Sequence, residues 1–191
     1  MNDFEDERIL FYLNHRKLID QWAEIRRDIP RITHEFLFKL EGDIQELGEK
    51  LGADIKLYKE DSNFPKLFLC RNTWPTNNNK PAVGIGIEWK CEKVDLQDSP
   101  PYVGVWTNRD TSTGTALSEM LNQSLNSVAS RHEMQPSKWF PIKKHIHYKY
   151  EHFWHHLDAY RQHVLSEIEL MWKRCADEVD IAVRTLEVPV A

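Results

Sequence analysis

Apolar residues recur every three to four positions from Asp6 to about Asp28, at Phe11, Leu18, Trp22 and Ile25, with Ile29 just beyond and charges between them. That spacing puts them on one face of an amphipathic helix. Pro30 is expected to stop this helix and to serve in the first turn of a second, because proline has no N–H to donate but a backbone angle suited to a helix start. Phe36, Leu40, Ile44, Leu47 and Leu51 keep the period, and Gly52 offers a C-cap. The expected N-terminal unit is therefore a helical hairpin over residues 1–52.

After Gly52 the period falls to two. Ile55 and Leu57 alternate with Lys56 and Tyr58, and Leu67 and Leu69 with Lys66, Phe68 and Cys70, which predicts two strands. Asp61-Ser62-Asn63-Phe64-Pro65 reads as the turn between them and Trp74 to Pro81 as a surface loop. Val83 to about Cys91 and Tyr102 to Thr107 supply a third and a fourth strand. Connections this short favour an antiparallel meander, since parallel neighbours need a crossover of about a dozen residues or more.

Thr113-Gly114-Thr115 opens a helix striped by Leu117, Leu121, Leu125 and Val128. Pro136 and Pro141 bracket a loop bearing Trp139 and Phe140, and Ile142 to Tyr150 alternates as a fifth strand. Helical spacing from Phe153 through Leu157, Tyr160, Val164, Ile168, Met171, Cys175 and Val179 to Ala182 predicts one long helix over residues 151–186. The fold class is α+β in a single domain. It combines the helical hairpin, a four- to five-stranded mostly antiparallel meander with an inserted helix over 53–150, and a long C-terminal helix packed on the sheet. The core is expected to gather Trp22, Phe36, Leu40, Ile85, Ile87, Val103, Val105, Leu157, Ile168 and Met171.

Composition narrows the function classes. In 191 residues, 41% hydrophobic and 29% charged content exclude wholesale disorder. Only seven glycines, with no Walker loop and no G-x-G-x-x-G, argue against a glycine-rich phosphate cradle. Cys70, Cys91 and Cys175 are odd in number and show no C-x-x-C pair, so neither a disulfide framework nor a cysteine-rich zinc site is expected. The acidic start, Met1 to Glu7, has the wrong charge for a signal peptide, and no apolar run approaches the ~20 residues of a membrane span. A cytoplasmic protein is expected. A formal net charge of −5 disfavours a globally basic nucleic-acid binder.

Three groups of residues carry candidate chemistry. Glu88 and Lys90 share one strand face with Gly84 and Gly86, and a carboxylate two residues before a lysine can hold a divalent metal and orient an attacking water. This Glu88-Trp89-Lys90 resembles the E-x-K half of the PD-(D/E)XK nuclease superfamily. The resemblance implies Mg²⁺ or Mn²⁺ as cofactor and Asp54 or Asp61 as the further acidic residue, though neither aspartate follows a proline as in the family pattern. A broader resemblance rests on Asn14 to Trp22, on the glycine-punctuated strands Val83-Gly84-Ile85-Gly86-Ile87 and Tyr102-Val103-Gly104-Val105-Trp106, and on the Trp-bearing terminal helix. This layout is similar to non-catalytic modules associated with such nucleases in bacteria and phages, and implies a prokaryotic or phage setting.

The second group is histidine. His152 and His156 stand four apart with His163 two turns on, a spacing that can face one metal, although the glutamate of an H-E-x-x-H motif is missing. The third is the one basic window, residues 131–150, with five bases against one acid. There Lys138, Trp139, Lys143, Lys144, His147 and Lys149 interleave cations for phosphates with rings for unpaired bases. The same lysines also suit an edge strand guarded against edge-to-edge pairing. The function expected is a non-enzymatic interaction or regulatory protein that binds a protein or nucleic-acid partner through this window, without a cofactor. The alternative is a metal-dependent nuclease using Glu88 and Lys90.

Overall fold

The computed structural model describes residues 7–52, 54–96, 98–132, 134–148 and 156–187. The first helix, α1 (Glu7–Phe38), continues through Pro30 rather than stopping there. Proline removes one helical hydrogen bond, and tertiary contacts just downstream offset that loss. Thr33 and Leu37 are buried, Trp89 Nε1 donates to His34 Nδ1 at 3.1 Å, and Phe38 meets the Trp89 ring edge-on at 5.7 Å. The break falls instead at Lys39 and Leu40, and α2 (Glu41–Leu51) follows as the second limb of one long bent segment. Leu40 and Ile44 anchor that limb in the core.

Residues 7–28 of α1 are exposed apart from half-buried Ile19. Trp22, expected in the core, is 68% exposed. Periodicity reports that a helix has an apolar face, not which surface covers it.

The strands β1 (Ile55–Glu60) and β2 (Lys66–Arg71) pair antiparallel. The expected loop from Trp74 to Pro81 contains a small hairpin, β3 (Thr76–Asn77) with β4 (Lys80–Pro81). Its turn residues Asn78 and Asn79 have φ of 49° and 63°, a left-handed pair that asparagine tolerates and two-residue hairpins require. Then come β5 (Val83–Glu88), β6 (Tyr102–Thr107) and β7 (Ile142–His145), giving a five-stranded antiparallel sheet in the order β1-β2-β5-β6-β7. The third principal strand thus ends at Glu88, short of Cys91, and the last at His145, short of Tyr150.

Three more helices follow among the described residues. Thr111 caps α3 (Ser112–Ser124) by accepting from the Gly114 N–H at 3.0 Å, and α4 (Asn126–Arg131) follows after Leu125. The long α5 (Leu157–Glu187) lies against β5 and β6, with α2 over β1 and β2 and α3 beside β6. From Tyr160 through Val164, Ile168, Met171, Cys175 and Val179 to Ala182 its stripe is buried, as the spacing predicts, while Leu157 and Phe36 are only half-buried.

These helices, α2, α3 and α5, cover the same face of the sheet, where Leu67, Leu69, Ile85, Ile87, Val103 and Val105 form the main core. Ile87→Val should lower stability by about 1 kcal/mol, the cost of one methyl group lost from a packed interior; a change beyond roughly 3 kcal/mol in urea unfolding would mean a rearranged core. Among the described residues no helix lines the opposite face, and period two puts the remaining strand residues there.

A candidate binding cleft on the open face of the sheet

Strand register builds this face in rows. Glu60 stands opposite Lys66, Lys66 opposite Glu88, Glu88 opposite Tyr102 and Tyr102 opposite His145, so one polar row crosses all five strands. The next row runs Tyr58, Phe68, Gly86, Gly104, Lys143. Its two glycines let aromatic rings lie flat on the backbone. A Cβ on Gly86 would meet the Leu67 carbonyl oxygen at 2.1 Å and the Phe68 ring at 2.8 Å, and one on Gly104 would meet Phe140 at 2.8 Å. Phe68 stacks on Trp106 at 5.4 Å, and Phe140 meets Phe68 and Tyr102 edge-on at 6.2 and 5.0 Å.

Over this floor opens a cleft of about 790 Å³, within the size range of small-ligand sites. The Asn77–Asn78 hairpin tip forms one wall, the loop Ser137–Phe140 the other, and Asn108 and Thr111 close one end. Tyr102, Trp106, Trp139 and Phe140 contribute rings, and Lys66, Lys80, Lys138 and Lys143 contribute cations.

The polar row is a buried charge network. Lys66 Nζ donates to the Phe64 carbonyl at 2.8 Å and lies 3.5 Å from Glu60 and 3.6 Å from Glu88. Tyr102 donates its hydroxyl to Glu88, and Tyr58 donates to Glu60 at 2.7 Å. Burial pushes the Glu88 carboxyl above its ordinary range and outweighs the Tyr102 hydrogen bond and the Lys66 charge that pull it down. Burial also raises Glu60, but there the Tyr58 hydrogen bond and the ammonium groups of Lys66 and Lys80 prevail and hold it low. Tyr102 is raised by burial and by the neighbouring Glu88 charge. His145, next along the row, is held below its ordinary value by burial foremost.

Two cations are placed differently. Lys143 Nζ sits 4.4 Å above the Tyr102 ring and Lys138 Nζ 5.1 Å above the Trp139 ring. Among the described residues neither forms an ion pair with a carboxylate. Cations over rings keep their charge available to a ligand while staying positioned.

Comparison with protein-family models, with curated proteins and with solved structures finds no match to this chain. Its chemistry is therefore read from geometry.

The sequence-predicted residues separate into several places. Lys138, Trp139 and Lys143 converge on the cleft. Lys144, one residue on, points to the helix face and pairs with Glu167 of α5 at 2.8 Å, because neighbours on a strand face opposite ways. His147 is exposed beyond the end of β7, 5.9 Å from His145. Lys149 and His152 lie outside the described residues. His156 is exposed just before α5, and His163 is half-buried on it, 6.5 Å from Tyr160.

Glu88 does line the cleft, but its lysine is Lys66 from the adjacent strand, and Lys90 is exposed past the end of β5. Asp54 lies beside the far end of β1, paired with Arg71 at 3.3 Å. Asp61 is exposed in the β1–β2 turn. Among the described residues no group of three His, Cys, Asp or Glu side chains is placed to hold a metal ion.

Pattern reading passes over Lys66, Glu60, Trp106 and Asn108. A signal for Lys66 and Trp106 was present: Lys66 shares its face with Phe68, and Gly84, Gly86 and Gly104 alternate on facing strands, the mark of a surface on which aromatic rings must lie close to the backbone.

Proposed function

We propose that the protein is a non-enzymatic interaction module that holds single-stranded nucleic acid in the sheet cleft, in the prokaryotic or phage setting its layout resembles. The observation that carries this reading is the pair of cation-over-ring arrangements, Lys138 on Trp139 and Lys143 on Tyr102, at the rim of an aromatic-floored cleft. Phosphates need cations that are not already paired, and unpaired bases need ring faces within reach of them. The amide side chains of Asn77, Asn78 and Asn108 add donors and acceptors suited to base edges.

The test is fluorescence anisotropy with labelled single-stranded DNA and RNA oligonucleotides, with duplex as a control. Two phosphate contacts should make affinity fall about sevenfold between 50 and 200 mM salt. Lys138→Glu/Lys143→Glu should weaken binding at least tenfold, and Trp139→Ala about fivefold to a hundredfold if one base stacks there. Lys144→Glu, on the other face, should leave affinity unchanged. Absence of binding at low salt would overturn the reading. Cleavage of plasmid in Mg²⁺ or Mn²⁺ that is lost in Glu88→Ala would install the nuclease alternative.

A further inference from the structure

The exposed stretch of α1 carries a second pattern. Phe11, His15, Leu18, Trp22, Ile25 and Ile29 follow one another at steps of four, three, four, three and four residues, the alternation of a coiled-coil seam. Phe11, Leu18, Trp22 and Ile25 are 52–68% exposed, and Ile29 is half-buried where the helix reaches the body. The charged side chains Arg16, Lys17, Asp20, Glu24 and Arg27 all fall on the side away from the seam. Mixed charges there, with Arg16 and Asp20 paired at 3.5 Å, are unlike the lysine- and arginine-rich polar face of a membrane-surface helix.

We infer that this face is covered by the same face of a second copy, the two α1 helices running antiparallel about a two-fold axis beside residue 20. Self-complementarity carries the argument, since a two-fold interface requires each residue to suit its symmetry mate. In that register Phe11 faces the partner's Ile29, His15 its Ile25 and Leu18 its Trp22, so all six seam positions are filled once and no layer pairs two identical bulky rings. The flanking positions agree. Ile19 meets its own copy across the axis and extends the apolar seam, and Gln21 meets its own copy as an amide pair. Tyr12 faces the partner's Arg26, and Asn14 the partner's Asp28, so between residues 12 and 28 no like charges are opposed.

A parallel pair would stack Trp22 on Trp22 and His15 on His15 and would bring two globular bodies to the same end. The antiparallel pair sends the bodies to opposite ends.

One helix face about 20 residues long buries an area near the lower bound for a specific interface. The dimer should therefore be concentration-dependent. Sedimentation equilibrium from about 2 to about 500 µM is expected to move from the mass of one chain to that of two, and Leu18→Glu/Ile25→Glu should stay a monomer with unchanged sheet and helix circular dichroism and unchanged cleft binding. In a Cys91→Ser background, Gln21→Cys should cross-link into a disulfide dimer under mild oxidation, and Leu18→Cys should not. A wild-type chain that stays monomeric throughout overturns the inference, and flotation of that monomer with lipid vesicles would assign the face to a membrane surface. Cross-linking of Leu18→Cys but not Gln21→Cys overturns the antiparallel register, and a dimer that survives Leu18→Glu/Ile25→Glu overturns the seam.

Discussion

Lys66→Met is expected to cost about 3 kcal/mol of stability at neutral pH, although the change adds apolar surface to a buried position. Lys66 and Glu88 are both nearly enclosed, with side chains 10% and 7% exposed, and removing one partner of a buried pair leaves the other charge without compensation. Tyr102 still donates to Glu88 in the variant, which keeps the loss at the lower end of the range for such deletions. The sign of the pH dependence follows from Glu88. Its carboxyl is already raised in the folded protein by burial, and loss of Lys66 removes one of the influences holding it down.

A group raised on folding binds its proton more tightly in the native state, so its effect on stability becomes unfavourable as pH climbs from the unfolded carboxylate value through the folded one. The penalty of Lys66→Met should therefore be largest at neutral pH and shrink as the medium is acidified through the Glu88 range. Urea unfolding at a series of pH values measures this. A pH-independent loss would show that packing, not the stranded charge, is responsible. Lys66→Met/Glu88→Leu should recover much of the deficit, because a buried pair exchanged for apolar side chains is often neutral.

Gly86→Ala is expected to be at least as damaging, costing about 3 kcal/mol or more. The added Cβ would lie 2.1 Å from the Leu67 carbonyl oxygen and 2.8 Å from the Phe68 Cα and ring. Two of those three neighbours are backbone in a paired central strand, which cannot give way without breaking the β2–β5 ladder. The same methyl group at Gly42, where nothing lies within 4 Å, should stabilise α2 slightly through helix propensity. Thermal unfolding of the two variants makes the comparison, and equal effects would mean that the aromatic floor does not press on the strand. Displacement of Phe68 would also disturb Trp106, so cleft binding should weaken in Gly86→Ala.

Much of the fold was legible in the sequence. The long stripe from Tyr160 to Ala182, the alternation around Leu67 and Leu69, and the tight turn between β1 and β2 each follow from local geometry: a helix repeats its face every three to four residues, a strand every two, and a turn that short can only join antiparallel neighbours. Lys138, Trp139 and Lys143 were legible as a candidate patch for the same reason, being close in sequence. What tertiary structure alone decided concerns partners distant along the chain. Lys66 rather than Lys90 faces Glu88 because antiparallel register, not sequence spacing, sets which side chains are neighbours across a sheet. Lys144 leaves the patch for Glu167 because strand alternation turns it to the face that α5 covers. Pro30 stays inside α1 because burial of Thr33 and Leu37 and the packing of half-buried Phe38 against the body outweigh one lost hydrogen bond. Trp22 marks the same divide: its helical face is written in the sequence, but that no part of the described body covers it is a property of the packed chain.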